Sequence, residues 1–138
     1  NTVLHIAVGI GRNILVNEIL SLIEPGQFPY IKNLDGSTAL HIAAIVGNTE
    51  AATLLIKKDR SLLEIEDEKY EKPLHKAFHP MHLTTIDCLL KAIFDDIKGK
   101  KRTFLSGNSV VKEVVHLLVN AVSAKKYGAY TIYTIEIR

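Results

Sequence analysis

The chain has 138 residues, 47% of them hydrophobic, and a formal net charge of +2. That length and hydrophobic content suffice for one domain with a continuous core. The single cysteine of the sequence, Cys88, excludes an intramolecular disulfide bond and favours a reducing compartment, so we expect a cytoplasmic protein. No run of 18 apolar residues is present, so we expect no contact between this chain and a membrane.

A short pattern occurs three times, at Thr2–Ala7, Thr38–Ala43 and Lys72–Ala77. The first residues of the copies are 36 and 34 residues apart, which indicates a stack of similar units. Threonine at the start of the pattern suits a helix N-cap, because its hydroxyl accepts a hydrogen bond from a free amide. Gly11 and Gly47, nine residues after their threonines, and the apolar stretches that follow predict a turn and a second helix.

The pattern resembles the ankyrin repeat, which has a T-P-L-H-x-A signature and a period of about 33 residues. The resemblance implies an all-α solenoid of stacked helix–turn–helix units joined by finger loops. Each histidine is then expected to bond to the threonine hydroxyl and to the backbone of a neighbouring loop. The residues to which the resemblance gives structural roles are Thr2, Leu4, His5, Gly11, Gly36, Thr38, Leu40, His41, Gly47, Leu74 and His75.

The third copy departs from the pattern in two places. Tyr70 stands where the preceding finger has Gly36, and Lys72 replaces the threonine. Glycine accepts a positive φ without steric cost and lysine cannot replace the capping hydroxyl. We therefore expect a strained or reshaped turn, a missing cap, and the least stable of the three repeats.

The repeats are predicted at about 1–33, 34–67 and 68–97. A basic loop is expected at 98–108, a capping helix or degenerate repeat at 109–124, and a disordered or loosely docked tail at 125–138. Because the sequence starts inside a repeat, we expect it to be part of a longer protein.

The remaining candidate sites are weak. The basic residues Lys98, Lys100, Lys101 and Arg102 indicate a solvated loop, with an acidic partner or a nucleic acid as alternatives. The spacing of His75, His79 and His82 suits one helix face, but Pro80 breaks that helix. We expect no metal, no cofactor, no catalytic residue and no small-molecule substrate.

The resemblance implies a protein-interaction module whose partner contacts the finger tips and the exposed ends of the first helices, on the concave side. The residues at those positions are Ile10, Leu34, Asp35, Ser37, Ile45, Val46, Glu68, Lys69, Glu71 and His79. The alternative is a structural spacer within a longer array that binds nothing itself.

A narrower resemblance is to plant ankyrin proteins whose repeats precede a membrane-spanning C-terminal domain of the PGG type. It rests on the stretches Asn1–Ala7, Gly47–Ala52 and Lys57–Asp67. It implies that the repeats form the cytosolic arm of a membrane-anchored parent protein with a role in stress or defence signalling.

Overall fold

The computed structural model describes residues 1–24, 26–27 and 31–99, with side chains up to residue 95. Every regular secondary-structure element within these residues is a helix and none is a strand, which confirms the all-α prediction. The helices are α1 (Val3–Gly9), α2 (Asn13–Leu22), α3 (Ala39–Val46), α4 (Thr49–Lys58), a 3-10 helix (Arg60–Glu64), α5 (Pro73–Phe78) and α6 (Leu83–Gly99).

Helix α1 packs against α2 and α3 packs against α4, and α5 and α6 follow in the chain as the helices of repeat 3. The chain divides into two compact units, Asn1–Ile93 and Phe94–Arg138, and the contacts described below belong to the first. Helix α6 continues through residue 99 and thus includes residues 98 and 99, the first two of the predicted basic loop. The rest of that loop, the predicted helix at 109–124 and the tail at 125–138 lie outside the described residues.

The first helices start as the pattern predicts. The Thr2 hydroxyl accepts a hydrogen bond from the amide of His5, and Thr38 stands at the same place before α3. Both threonines form a capping box with the histidine three residues later, which satisfies amides that no helical carbonyl reaches. The pattern thus fixes both the start of each helix and the direction of its histidine.

Each first helix is followed by a turn that contains one residue in the left-handed conformation. Gly11, Gly47 and Met81 occupy the same position in the three repeats, with φ of 77°, 74° and 57°. At Gly47 a side chain is excluded for two reasons. Its φ is positive, and a Cβ atom would lie 2.7 Å from the ring of His82. Met81 adopts the same left-handed conformation with a side chain, so its backbone is strained.

The core consists of apolar residues that recur at equivalent places. Leu4, Leu40 and Leu74 are at most 4% exposed. Helix α3 is the centre of the stack, because it packs against α1, α4 and α5. Four small residues of α3 and α4 have no exposed surface. These fully buried residues are Ala43, Ala44, Ala51 and Ala52.

The finger of repeat 3 keeps the glycine conformation without glycine. Tyr70 has φ of 59°, close to the 72° of Gly36, so the turn is strained rather than reshaped. The Lys72 ammonium has no lone pair with which to cap α5, although the ring of His75 still accepts the Lys72 amide at 3.2 Å. The expected strain of this turn is confirmed, and the lower stability of repeat 3 stays a prediction.

We expect Tyr70→Gly combined with Lys72→Thr to raise the free energy of unfolding by about 1 kcal/mol. Glycine relieves the left-handed strain, and threonine restores a capping hydroxyl. The loss of the Lys72–Glu64 ion pair at 3.1 Å removes little, because the Glu64 side chain is 58% exposed. Urea denaturation measures the change. Tyr70→Ala is the control, since it removes the ring and keeps a side chain in the left-handed conformation. If alanine and glycine at position 70 changed the free energy of unfolding equally, relief of backbone strain would not be the cause.

Candidate partner-binding surface

Two histidines join successive repeats through both ring nitrogens. His5 Nδ1 lies 2.7 Å from the Thr2 hydroxyl, and its Nε2 lies 2.8 Å from the carbonyl oxygen of Ser37. His41 repeats this arrangement at 2.9 Å from Thr38 and 2.9 Å from the carbonyl oxygen of Glu71. The expected bridging role of these two histidines is confirmed.

The hydrogen-bond partners also assign the tautomer of these rings. Each Nδ1 accepts from a threonine backbone amide, at 3.4 Å for His5 and 3.1 Å for His41, so Nδ1 carries no proton. Each Nε2 faces a carbonyl oxygen, which can only accept, so Nε2 must donate. Burial lowers the pKa of both histidines and outweighs the opposing backbone hydrogen bonds. With both nitrogens occupied, His5 and His41 are neutral structural links and have no free nitrogen for a metal or a proton transfer.

The fingers of repeats 2 and 3 share one backbone device. Asn33 Oδ1 accepts the amides of Asp35 and Ser37, both at 2.9 Å. Asp67, at the equivalent position, accepts the amides of Lys69 and Glu71 at 2.9 and 3.0 Å. Such side-chain acceptors shape a tight turn from within. The sequence comparison of the two fingers did not single out Asn33 and Asp67, although they occupy the same place in the repeat.

A cluster of charges supports the third finger. Lys76 Nζ lies 2.9 Å from Asp67 Oδ2 and 3.2 Å from Glu71 Oε1, and His79 Nε2 lies 2.8 Å from Glu71 Oε2. Burial alone would raise the pKa of the Asp67 carboxyl, but hydrogen bonds from Lys76 and from backbone amides hold it below its ordinary value. The pKa of Glu71 is likewise lowered by His79 and Lys76, against the effect of its burial.

Lys76 stands where repeat 2 has Ile42, and Asp67 stands where that repeat's finger has Asn33. An apolar residue and an amide have thus been replaced together by two opposite charges. Aligning repeats 2 and 3 at Thr38 and Lys72 would have revealed this paired replacement in the sequence. Its meaning needs the structure, which shows that the two side chains touch.

Nine of the ten residues predicted to contact a partner are at least partly accessible. Leu34 at the tip of the second finger is 92% exposed, and Ile10 at the end of α1 is 65% exposed. Ile45 and Val46 at the end of α3 are 42% and 43% exposed. The tips of the two fingers touch, because the Glu68 amide donates to the carbonyl oxygen of Asp35 at 3.1 Å. The finger–helix surface, as used below, comprises Ile10, Leu34, Asp35, Ile45, Val46, Glu68, Lys69, Glu71 and His79.

The prediction for Ser37 is wrong. This residue is only 4% exposed, and its amide and carbonyl are held by Asn33 and His5. The bridge from the histidine of the preceding repeat draws the end of the finger inward. The side chain of Glu71, at the equivalent position, is 22% exposed, and its carboxylate contacts Lys76 and His79.

Polar contacts on the second-helix side of the stack were not anticipated. Asn48 donates to the carbonyl oxygen of Val8 at 3.0 Å and to Asn13 Oδ1 at 2.8 Å. Asn13 also donates to Glu50 Oε2 at 3.0 Å. These bonds join repeats 1 and 2, so both asparagines are structural.

The three clustered histidines of repeat 3 have separate partners. His79 bonds to Glu71, His75 accepts the Lys72 amide, and His82 donates to the carbonyl oxygen of Ile45 at 3.0 Å. Among the described residues, no group of three or more His, Cys, Asp or Glu side chains could hold a metal ion. Nor does any helix in the described part of the chain have the length and apolar character needed to cross a membrane.

Helix pairs in register, histidine bridges and paired fingers define a helical repeat protein. Three copies of the ankyrin repeat are recognised over residues 4–101, so the chain belongs to the ankyrin-repeat family. A similar segment occurs in BTB/POZ domain-containing protein 1 of Schizosaccharomyces pombe, with 39% identity over 90 residues. The match covers 58% of this chain and 6% of that relative.

Proposed function

We propose that the chain is a non-catalytic module that binds another protein through the finger–helix surface. The observation that carries this proposal is the exposure of large apolar side chains at the finger tip and the first-helix ends. Leu34 is 92% exposed and Ile45 and Val46 are 42% and 43% exposed, so burial in the core does not account for all of their apolar surface. Apolar groups placed among charged ones are typical of surfaces that a partner covers.

The charges of this surface support the same function. Glu71 is held by Lys76 and His79, so its carboxylate is fixed before any partner arrives. Asp35 and Glu68 are exposed at tips that are joined through the backbone. A surface with ordered charges loses little conformational entropy when it binds.

A variant with Leu34→Ala, Ile45→Ser, Val46→Ser and Glu68→Ala should keep its fold and lose its partner. All four positions are at the surface, so the helical circular dichroism and the melting midpoint should stay nearly unchanged. Loss of buried anchors should weaken binding by about 2 kcal/mol or more. Affinity capture from extract, followed by titration of each captured protein with the purified variant, gives the measurement.

The control is Leu22→Ser, which removes an 83% exposed leucine from α2, outside this surface. A partner that binds the wild-type chain and the control but not the quadruple variant supports the proposal. If the quadruple variant folds and binds with unchanged affinity, the surface is wrongly placed. The basic residues within Lys98–Arg102 would then be neutralised next. If the partner binds these residues, its affinity should fall steeply as the salt concentration rises.

We further propose that the parent protein is a plant membrane-anchored protein with its repeats in the cytosol, acting in stress or defence signalling. The support is the resemblance of Asn1–Ala7, Gly47–Ala52 and Lys57–Asp67 to the PGG-type proteins. Fractionation of cells that express the parent gene tests this, since a membrane-anchored parent stays in the membrane pellet after a high-salt wash. Recovery in the soluble fraction would contradict it.

The competing function is a spacer within a longer array. The spacer function is supported by the relative in fission yeast, because the similar segment covers only 6% of that BTB/POZ domain-containing protein. A spacer would need inter-repeat bonds, which this chain has, and no partner of its own. The quadruple variant distinguishes the two functions, because a spacer has no ligand for it to lose.

A further inference from the structure

The two finger tips, residues 34–36 and 68–70, each expose one large apolar or aromatic side chain. Leu34 in the first tip is 92% exposed, and Tyr70 in the second is 79% exposed. A backbone hydrogen bond of 3.1 Å joins the two tips. The leucine belongs to the finger–helix surface, and the tyrosine extends that surface by an aromatic ring that the sequence did not assign to it.

The fold does not account for the aromatic ring at position 70. Because most of the Tyr70 side chain is exposed, the ring adds little to the core. Its backbone has a φ of 59°, in the left-handed region that Gly36 occupies in the preceding finger, where glycine is the more stable residue. An exposed tyrosine that is kept despite backbone strain is typical of residues that contact a ligand. Binding therefore explains Tyr70 better than stability does.

The charges of the finger tips indicate which chemical group they bind. Asp35 and Glu68 are exposed, and neither carboxylate forms an ion pair within the described part of the chain. Glu68 lies in the same tight turn as Tyr70, whose amide donates to the carbonyl oxygen of Asp67 at 3.0 Å. Lys69, which is also exposed, carries the opposing charge. Two carboxylates against one ammonium make the tips acidic, so they complement a cationic group.

We propose that Tyr70 binds an arginine side chain of the partner, with Asp35 and Glu68 as the counter-charges. This inference rests on the proposed function, since it names one group of the protein that the finger–helix surface binds. The face of a tyrosine ring attracts a cation. The planar guanidinium group of arginine stacks on such a ring while its N–H groups donate to carboxylates, which the compact ammonium of lysine does less well. Leu34 offers apolar surface to the methylene stem of the same arginine.

Selection of phage-displayed random dodecapeptides on the full chain tests the proposal. We expect arginine to be enriched in the peptides that bind. The affinity of a synthesised binder should fall about tenfold when its arginine is replaced by glutamine. Its affinity should also fall as the salt concentration rises, because salt screens charges at exposed sites. A selection that enriches no arginine, or no peptide that depends on Tyr70, would overturn the proposal.

Variants at position 70 separate the effect of the ring from that of the backbone strain. Tyr70→Phe should bind the arginine peptide nearly as well as the wild-type chain, because the face of the ring is kept. Tyr70→Gly and Tyr70→Ala should each weaken binding about tenfold, although only glycine relieves the strain. Lys69→Ala should strengthen binding, since it removes the opposing charge. Equal affinity of Tyr70→Ala and the wild-type chain would overturn the proposal.

Two further comparisons distinguish failure of this inference from failure of the proposed function. Glu68→Lys should weaken binding of the arginine peptide, whereas Glu18→Lys, a matched charge reversal at an exposed position of α2, should not. Equal effects of the two reversals would overturn the proposal. The pair Ile45→Ser and Val46→Ser removes the helix-end contacts of the finger–helix surface. Peptides that lose affinity for this pair but bind Tyr70→Ala normally would support the proposed function and overturn the arginine site. Peptides that depend on Tyr70 alone would support the arginine site and confine binding to the finger tips.

Discussion

Leu40→Ala is expected to lower the free energy of unfolding by about 2–5 kcal/mol. Leu40 has no exposed surface and lies on α3, the helix that packs against α1, α4 and α5. Truncation therefore removes apolar burial and leaves a cavity at the centre of the stack. A domain with a total stability of about 5–15 kcal/mol loses a large part of it through such a change.

Urea denaturation, followed by circular dichroism, measures the loss. Leu34→Ala is a matched control, because the same atoms are removed from a side chain that is 92% exposed. The control should stay within about 0.5 kcal/mol of the wild-type chain. If the two variants unfolded at the same urea concentration, the central position of Leu40 would be refuted.

The sequence was sufficient to predict what depends on local pattern. Leu4, Leu40 and Leu74 are buried and the His5 and His41 bridges form, because each repeat places these residues at a fixed distance from its helix start. A repeated motif transfers such geometry from one copy to the next.

Features that depend on contacts between repeats were not predictable in the same way. Ser37 looks like a polar finger-tip residue, but a histidine 32 residues earlier holds its carbonyl and the residue is buried. From the sequence, the turn at Tyr70 could be either strained or reshaped, and nothing in the local pattern favours one of these over the other. Its turn is retained because Asp67 bonds two amides of the finger and is itself held by Lys76. The strain at one residue is thus sustained by charges at two others.

Lys76→Ile is expected to lower the free energy of unfolding by about 3 kcal/mol at neutral pH. The Lys76 and Asp67 side chains are only 14% and 3% exposed, so removing the lysine leaves a buried carboxylate without its counter-charge. Adding Asp67→Asn should recover more than half of the loss, because the double variant has the residue types that repeat 2 has at these positions, Ile42 and Asn33. The amide oxygen can still accept from the finger backbone.

The pH dependence gives an independent measurement. In the wild-type chain the pKa of Asp67 is lowered, so the stabilisation by its charge is complete above the ordinary value near 4 and is lost as the pH falls through the lower folded value. Without Lys76, burial is less opposed and favours protonation of Asp67. The difference in stability between the wild-type chain and Lys76→Ile should therefore be large at pH 7 and smaller at pH 4.

Denaturation curves at both pH values for the wild-type chain and the single and double variants provide the comparison. A Lys76→Ile protein as stable as the wild-type chain at pH 7 would show that the ion pair contributes no net stability, and that the strained finger is held by its backbone hydrogen bonds alone.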